Sequence, residues 1–184
     1  FTVQDETAMS AAALLAPKPG ERVLDLGAAP GTKTTHLAEL MNGEGSIVAT
    51  DVDLGRLRRI EENADRLGFS SMIEPLVIRE DLSELPEGPF DAILIDVPCS
   101  NTGVLGKRPE VRSRITPEDI DELIVTQQKL LDAAASLVAP GGRIVYSTCS
   151  VEPEENSGVV TRFLQKSSEF ELVETQEFIP GDPT

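Results

Sequence analysis

The sequence predicts an α/β fold: a doubly wound, mostly parallel sheet with helices on both faces. Three observations carry that expectation. Short apolar runs alternate with helical patterns, the first run opens into a glycine-containing turn, and the run Arg143 to Thr148 is near-continuously apolar, as in strands buried on both faces. With 184 residues and 40% hydrophobic content, the chain can bury one sizeable core and reads as one domain over residues 1–184.

Arg22 to Leu26 is the first strand, and the loop Gly27-Ala28-Ala29-Pro30-Gly31-Thr32-Lys33 leads from it into a helical pattern from Thr35 to Met41. Ser46 to Asp51 reads as the second strand, and Leu54 to Leu67 as an amphipathic helix closed by Gly68. Ile73 to Ile78 and Phe90 to Asp96 read as strands three and four. A long helix from Pro117 to Val138 is expected to stop at Pro140-Gly141-Gly142, before the strand Arg143 to Thr148. Glu152 to Lys166 reads as the next helix, with Ser150 as cap, Pro153 in the first turn, and Glu154 and Glu155 favouring the positive end of its dipole. Phe170 to Glu174 is expected to form one more strand.

Composition excludes several classes. No stretch approaches the roughly 20 apolar residues that span a bilayer, and Phe1 to Glu6 lacks a basic region followed by an apolar one, so a cytoplasmic protein is expected. Two cysteines, Cys99 and Cys149, are too few for a disulfide scaffold and are expected to be reduced. With His36 they provide at most three candidate zinc ligands, none at ligand spacing, so no metal is expected. His36 is given no role, and a monomer is expected. The net charge of −16 argues against a general nucleic-acid binder, although Lys107, Arg108, Arg112 and Arg114 form a basic run that suits a phosphate backbone or a solvated loop. The acidic start of the long helix, residues 117 to 122, reads as a solvated face.

Ligands of such sheets bind where strands end, so residues directly after strands are the informative ones. The loop from Gly27 to Lys33 lets a nucleotide-like ligand approach the backbone at a helix N-terminus, although it is not a G-x-G-x-x-G fingerprint. Asp51, ending the second strand, suits both hydroxyls of a ribose; Asp51 or Asp53 can equally cap the next helix. Asp81 suits an adenine amino group or a plain turn. Cys99 and Cys149 each sit in a turn after an apolar strand, so both thiols are expected to open onto one crevice if those strands are neighbours. From that placement alone, either thiol can be the nucleophile.

Val3-Gln-Asp-Glu6, Leu24 to His36, Asp96-Val-Pro-Cys-Ser-Asn-Thr-Gly-Val104 and Tyr146 to Asn156 together resemble the Fmu/Sun (RsmB-like) family of RNA cytosine-5 methyltransferases, in the family's order and over nearly the whole chain. The resemblance implies a Rossmann-like class I methyltransferase fold. It assigns Gly27, Ala28, Ala29, Pro30, Gly31, Thr32, Lys33, Asp51 and Asp81 to S-adenosyl-L-methionine and places Asp96 against both cofactor and cytosine. It makes Cys149 the nucleophile and gives Cys99 a part in product release. Addition of a thiolate at carbon 6 activates carbon 5 toward the methyl group, with the target base unstacked from its RNA. Lys33 and the helix after Cys149 are the expected sources of thiol activation.

The chain departs from the family pattern at Gly27, where cysteine is usual, at Thr32, where glycine is usual, and at Ser113, where an aromatic is frequent. The resemblance further implies a longer enzyme, with an RNA-binding domain before this core and a final strand after it. Ribosomal RNA is the favoured substrate and transfer RNA the next. Rival readings are a dehydrogenase-like nucleotide domain, which would leave both cysteines without a role, a non-catalytic scaffold, and the same fold acting on DNA or protein.

Overall fold

Strands form where β-branched and leucine runs can be covered on both faces, and the computed structural model, which describes residues 6–106 and 109–178, has five of them. By contacts the chain divides into two units. The first comprises the residues up to Asp96 together with Ala133–Ser147; the second comprises Val97–Asp132 and the residues from Thr148 on.

The first unit holds the predicted sheet. Strands β1 (Arg22–Leu26), β2 (Ser46–Asp51), β3 (Ile73–Val77), β4 (Phe90–Asp96) and β5 (Val138–Ser147) run all parallel in the order β3-β2-β1-β4-β5. The order reverses between β1 and β4, which puts the switch point where Leu26 pairs with Ile95. Val23, Leu24, Ile47, Ile93 and Leu94 are fully buried, as expected of central strands covered on both faces. Helices α2 (Thr32–Leu40) and α3 (Leu54–Leu67) connect the first three strands. The carboxylate of Asp53, rather than Asp51, caps α3 by accepting the Arg56 amide at 2.9 Å.

Helix α1 (Glu6–Leu15) has no counterpart in the sequence expectation. Its alanine- and leucine-rich stretch lacks a polar face for periodicity to reveal, but those residues have high helix propensity. It buries Ala11, Ala12 and Leu15, and the carbonyls of Leu15 and Ala16 accept from the Arg143 guanidinium on β5.

The second unit contains two short 3-10 turns, Thr102–Val104 and Pro109–Ser113, most of α4 (Pro117–Leu137) and α5 (Ser157–Lys166). Gln128 on α4 donates to the Val159 carbonyl at 2.9 Å, and Phe163 meets Phe170 edge to face with centroids 5.2 Å apart.

Three sequence expectations are corrected here. The long helix ends at Leu137, within one residue of its expected stop, but the last strand starts at Val138 rather than Arg143, and Pro140-Gly141-Gly142 lies in an irregularity of β5, where Val138 pairs with Phe90 but Arg143 with Ala92. The helix expected from Glu152 begins at Ser157, because Ser150 accepts the Glu152 amide in a separate turn and the Glu155 side chain is buried rather than facing solvent at a helix start. Residues 170–174 form no strand: Leu172 and Val173 are exposed, and no strand among the described residues pairs with them.

Candidate active site

In the first unit, the chain leaves β1 in a turn whose backbone is fixed by the sheet. The amides of Gly27 and Ala28 both donate to the Thr50 carbonyl, at 3.1 and 2.9 Å. Gly27 has φ +85°, and a Cβ there would lie 2.6 Å from the Asp96 carbonyl oxygen, so both the conformation and the approach of β4 demand glycine. The loop closes on α2 and α3. Arg56 donates to the Ala29 carbonyl at 3.2 Å, Asn63 donates to that of Pro30 at 3.0 Å, and Gly31 turns into α2.

Charged groups converge around this turn. The Lys33 ammonium bonds the Asp96 carboxylate at 2.7 Å. Asp51 is nearly buried, accepts the Asp53 amide at 3.0 Å and lies 3.6 Å from the Arg56 guanidinium. Asp25, on β1 just before the turn, is completely buried; its Oδ2 accepts the Thr34 hydroxyl at 2.7 Å, while Oδ1 has no partner. Burial above all pushes the Asp25 carboxyl up to about 7, opposed by the Thr34 hydrogen bond and reinforced by the Asp96 charge. Asp25 falls within the predicted first strand and has no assigned role there. An acidic residue inside an otherwise apolar strand was the available signal.

Asp81 stands apart from this group. It is exposed, four residues beyond the end of β3, and its Oδ1 accepts both the amide and the hydroxyl of Ser83, at 3.0 and 2.6 Å. These bonds hold its carboxyl below the usual range. The turn reading of Asp81 thus has a direct geometric basis.

The first unit fits S-adenosylmethionine by its donor set. Gly27 to Lys33 forms a backbone turn ending at the N-terminus of α2, with the Lys33 ammonium beside it and the buried carboxylate of Asp51 at the end of the neighbouring strand β2.

In the second unit, Cys99 and Cys149 lie with their sulfurs 2.8 Å apart, both as free cysteines. Cys99 is buried and Cys149 exposed. The hydrogen bond with Cys149, followed by burial, pushes the Cys99 thiol up. The Cys149 amide donates to the Cys99 sulfur at 3.2 Å. Asn101, with φ +62°, bridges both segments: its side chain donates to the Cys99 carbonyl at 2.8 Å and accepts from the Cys149 thiol at 3.0 Å. Sequence assigns Asn101 no role; an asparagine two residues after a cysteine in a turn is its signal.

Of the basic run, Lys107 and Arg108 lie outside the described residues, as does the side chain of Arg112, while Arg114 is exposed. The helix N-terminus expected to follow Cys149 closely starts at Ser157, eight residues on, and Lys33 is engaged by Asp96. The described residues contain no group of histidine, cysteine and acidic side chains suited to a metal, and no helix long and apolar enough to cross a membrane.

Residues 12–181 match the family described as 16S rRNA methyltransferase RsmB/F. Curated relatives include ribosomal RNA small subunit methyltransferase B from Erwinia tasmaniensis, 43% identical over 182 residues, covering 98% of this chain and 42% of the relative. The protein of the same name from Salmonella arizonae is 43% identical over 187 residues, covering 98% of this chain and 43% of the relative. The chain therefore spans less than half the length of these relatives. Among solved structures, PH0851 superposes with a TM-score of 0.90 at 44% identity, covering 100% of this chain and 41% of that one. NSun6 from Pyrococcus horikoshii with SFG superposes with a TM-score of 0.84 at 36% identity, covering 98% and 45%.

Proposed function

The chain belongs to the 16S rRNA methyltransferase RsmB/F family, and we propose that it methylates carbon 5 of a cytosine in RNA, with Cys149 as covalent nucleophile and small-subunit ribosomal RNA as substrate. S-adenosylmethionine is the cofactor the family implies, and it supplies the electrophilic methyl group. The observation that carries the assignment of roles is the contrast between two adjacent thiols, one exposed and one buried.

Carbon 5 of cytosine is a weak nucleophile until a thiolate adds at carbon 6, and only an accessible sulfur can reach a base presented from outside. Cys149 meets that requirement. After methyl transfer a base must take the carbon-5 proton so that the carbon-6–sulfur bond can break with its electrons returning to Cys149, and Cys99, in contact with that sulfur, is placed to assist this release. Asp96, held by Lys33, is the carboxylate assigned to the ring nitrogen and amino group of the base. The basic run Lys107, Arg108, Arg112 and Arg114 is assigned to the RNA backbone, which an acidic protein can approach only where cations are clustered. The active enzyme on this reading is longer than this chain, cytoplasmic, and draws its choice of RNA from further domains.

RNA carrying 5-fluorocytosine, incubated with labelled S-adenosylmethionine, should form a covalent protein adduct resistant to denaturing electrophoresis. Cys149→Ala is expected to abolish it and to lower transfer by about a thousandfold or more. Cys99→Ala is expected to form the same adduct and, on RNA carrying ordinary cytosine, to accumulate a covalent protein–RNA complex that the parent releases. An undiminished adduct in Cys149→Ala would overturn the assignment.

A further inference from the structure

Glu155 is completely buried, a position where a carboxylate is costly unless its oxygens are bonded. Its Oε1 accepts the Ser100 amide at 2.9 Å and the Gln127 side-chain amide at 2.9 Å. Its Oε2 accepts the Ser150 hydroxyl at 2.5 Å and also the Ser100 hydroxyl. Ser100 directly follows Cys99, and Ser150 directly follows Cys149. Gln127 donates in addition to the carbonyl of Pro98, the residue before Cys99, at 2.9 Å. One carboxylate thus gathers the residue after each thiol and, through Gln127, the residue before one of them.

We infer that Glu155 is a positioning residue for the two-thiol site, its carboxylate fixing the segments of Cys99 and Cys149 in one register; this rests on the function proposed above. The surroundings support a specific role. Thr102 accepts the Val151 amide at 3.1 Å, and Gly103 donates to the Cys149 carbonyl at 3.0 Å, so the two segments are also joined directly, while Glu155 draws on both cysteine neighbours and α4 together. A leucine of similar volume would fill the space and leave the Ser100 and Gln127 N–H groups without their acceptor. Glutamine keeps one acceptor oxygen, and the serine hydroxyls can rotate to accept from its amide, so it should restore part of the function.

The test compares Glu155→Leu, Glu155→Gln and Ser150→Ala in the full enzyme. Glu155→Leu is expected to lower kcat about tenfold or more with the KM for S-adenosylmethionine changed less than about twofold, Glu155→Gln to recover an intermediate kcat, and Ser150→Ala to show a smaller loss. Iodoacetamide labelling, which needs no RNA, should favour Cys149 over Cys99 in the parent and lose that preference in Glu155→Leu. If Glu155→Leu does not fold, Glu155→Gln and Ser150→Ala decide by the same two readouts. Unchanged kcat and unchanged labelling preference would overturn the inference, as would equal losses in kcat and cofactor affinity. A parent enzyme that labels as expected but transfers no methyl group to RNA would instead overturn the proposed function.

Discussion

Asp96 and Cys99 are three residues apart in the chain, yet the regions they belong to are built in opposite ways. The cofactor turn is fixed by backbone: amides of Gly27 and Ala28 on a strand carbonyl, and a glycine where β4 leaves no room for a side chain. The cysteine segments, neither helix nor strand, are fixed by side chains, with Glu155, Ser100, Ser150, Gln127 and Asn101 supplying the bonds. A region built by sheet geometry ties its ligand site to global stability, whereas a region built by a side-chain network can lose chemistry while the fold survives.

The sharpest way to probe this contrast is the buried Asp25. With its carboxyl raised from 3.8 to about 7, the folded protein holds a proton that the unfolded chain has released, so this group's contribution to stability is present below about pH 4 and is lost as pH rises through 7. That window corresponds to a fall on the order of 4 kcal/mol. Asp25→Asn retains an acceptor for Thr34 and is expected to flatten the decline, which denaturant melts at pH 5 and pH 8 without cofactor would measure. A parent protein equally stable at both pH values would break the argument.

Next in size, Gly27→Ala combines left-handed strain with a collision against the Asp96 carbonyl, for a loss of about 2–3 kcal/mol. Calorimetric titration should show weakened binding of S-adenosylmethionine alongside the lowered Tm. Gly103→Ala is the matched change in the second unit, because its Cβ would meet the Cys149 carbonyl oxygen at 2.9 Å. Here the expected loss of stability is under about 1 kcal/mol, since the strain falls on a short 3-10 turn and leaves the sheet intact, but kcat should fall while cofactor affinity holds. Equal effects of the two glycine changes on Tm would dissolve the distinction.

What the sequence made legible follows the same division. All five strands of the sheet and helix α3 were readable because apolar runs and glycine stops report them directly. Placement after strands also drew attention to Cys99, Cys149 and Asp51, whereas Asp96 came from the family resemblance. Helix α1 escaped because an alanine-rich helix has no polar face to mark its period. The start of α5 was misplaced because Pro153-Glu154-Glu155 carries every local sign of a first turn; a tertiary demand, the burial of the Glu155 carboxylate, overrides them. Local sequence cannot show which of two adjacent glutamates turns inward.

The amides of Ser100, Gly103 and Val151 lead to one further consequence. They belong to segments outside helix and strand, or at a single 3-10 turn, yet each is donated within the network, to Glu155, to the Cys149 carbonyl and to Thr102. Hydrogen exchange at these three positions should be slow, with protection factors closer to those of a strand than of a surface loop. Lack of regular secondary structure and freedom to move are then separate properties in this protein, and the segments proposed to carry the nucleophile can be as immobile as the sheet.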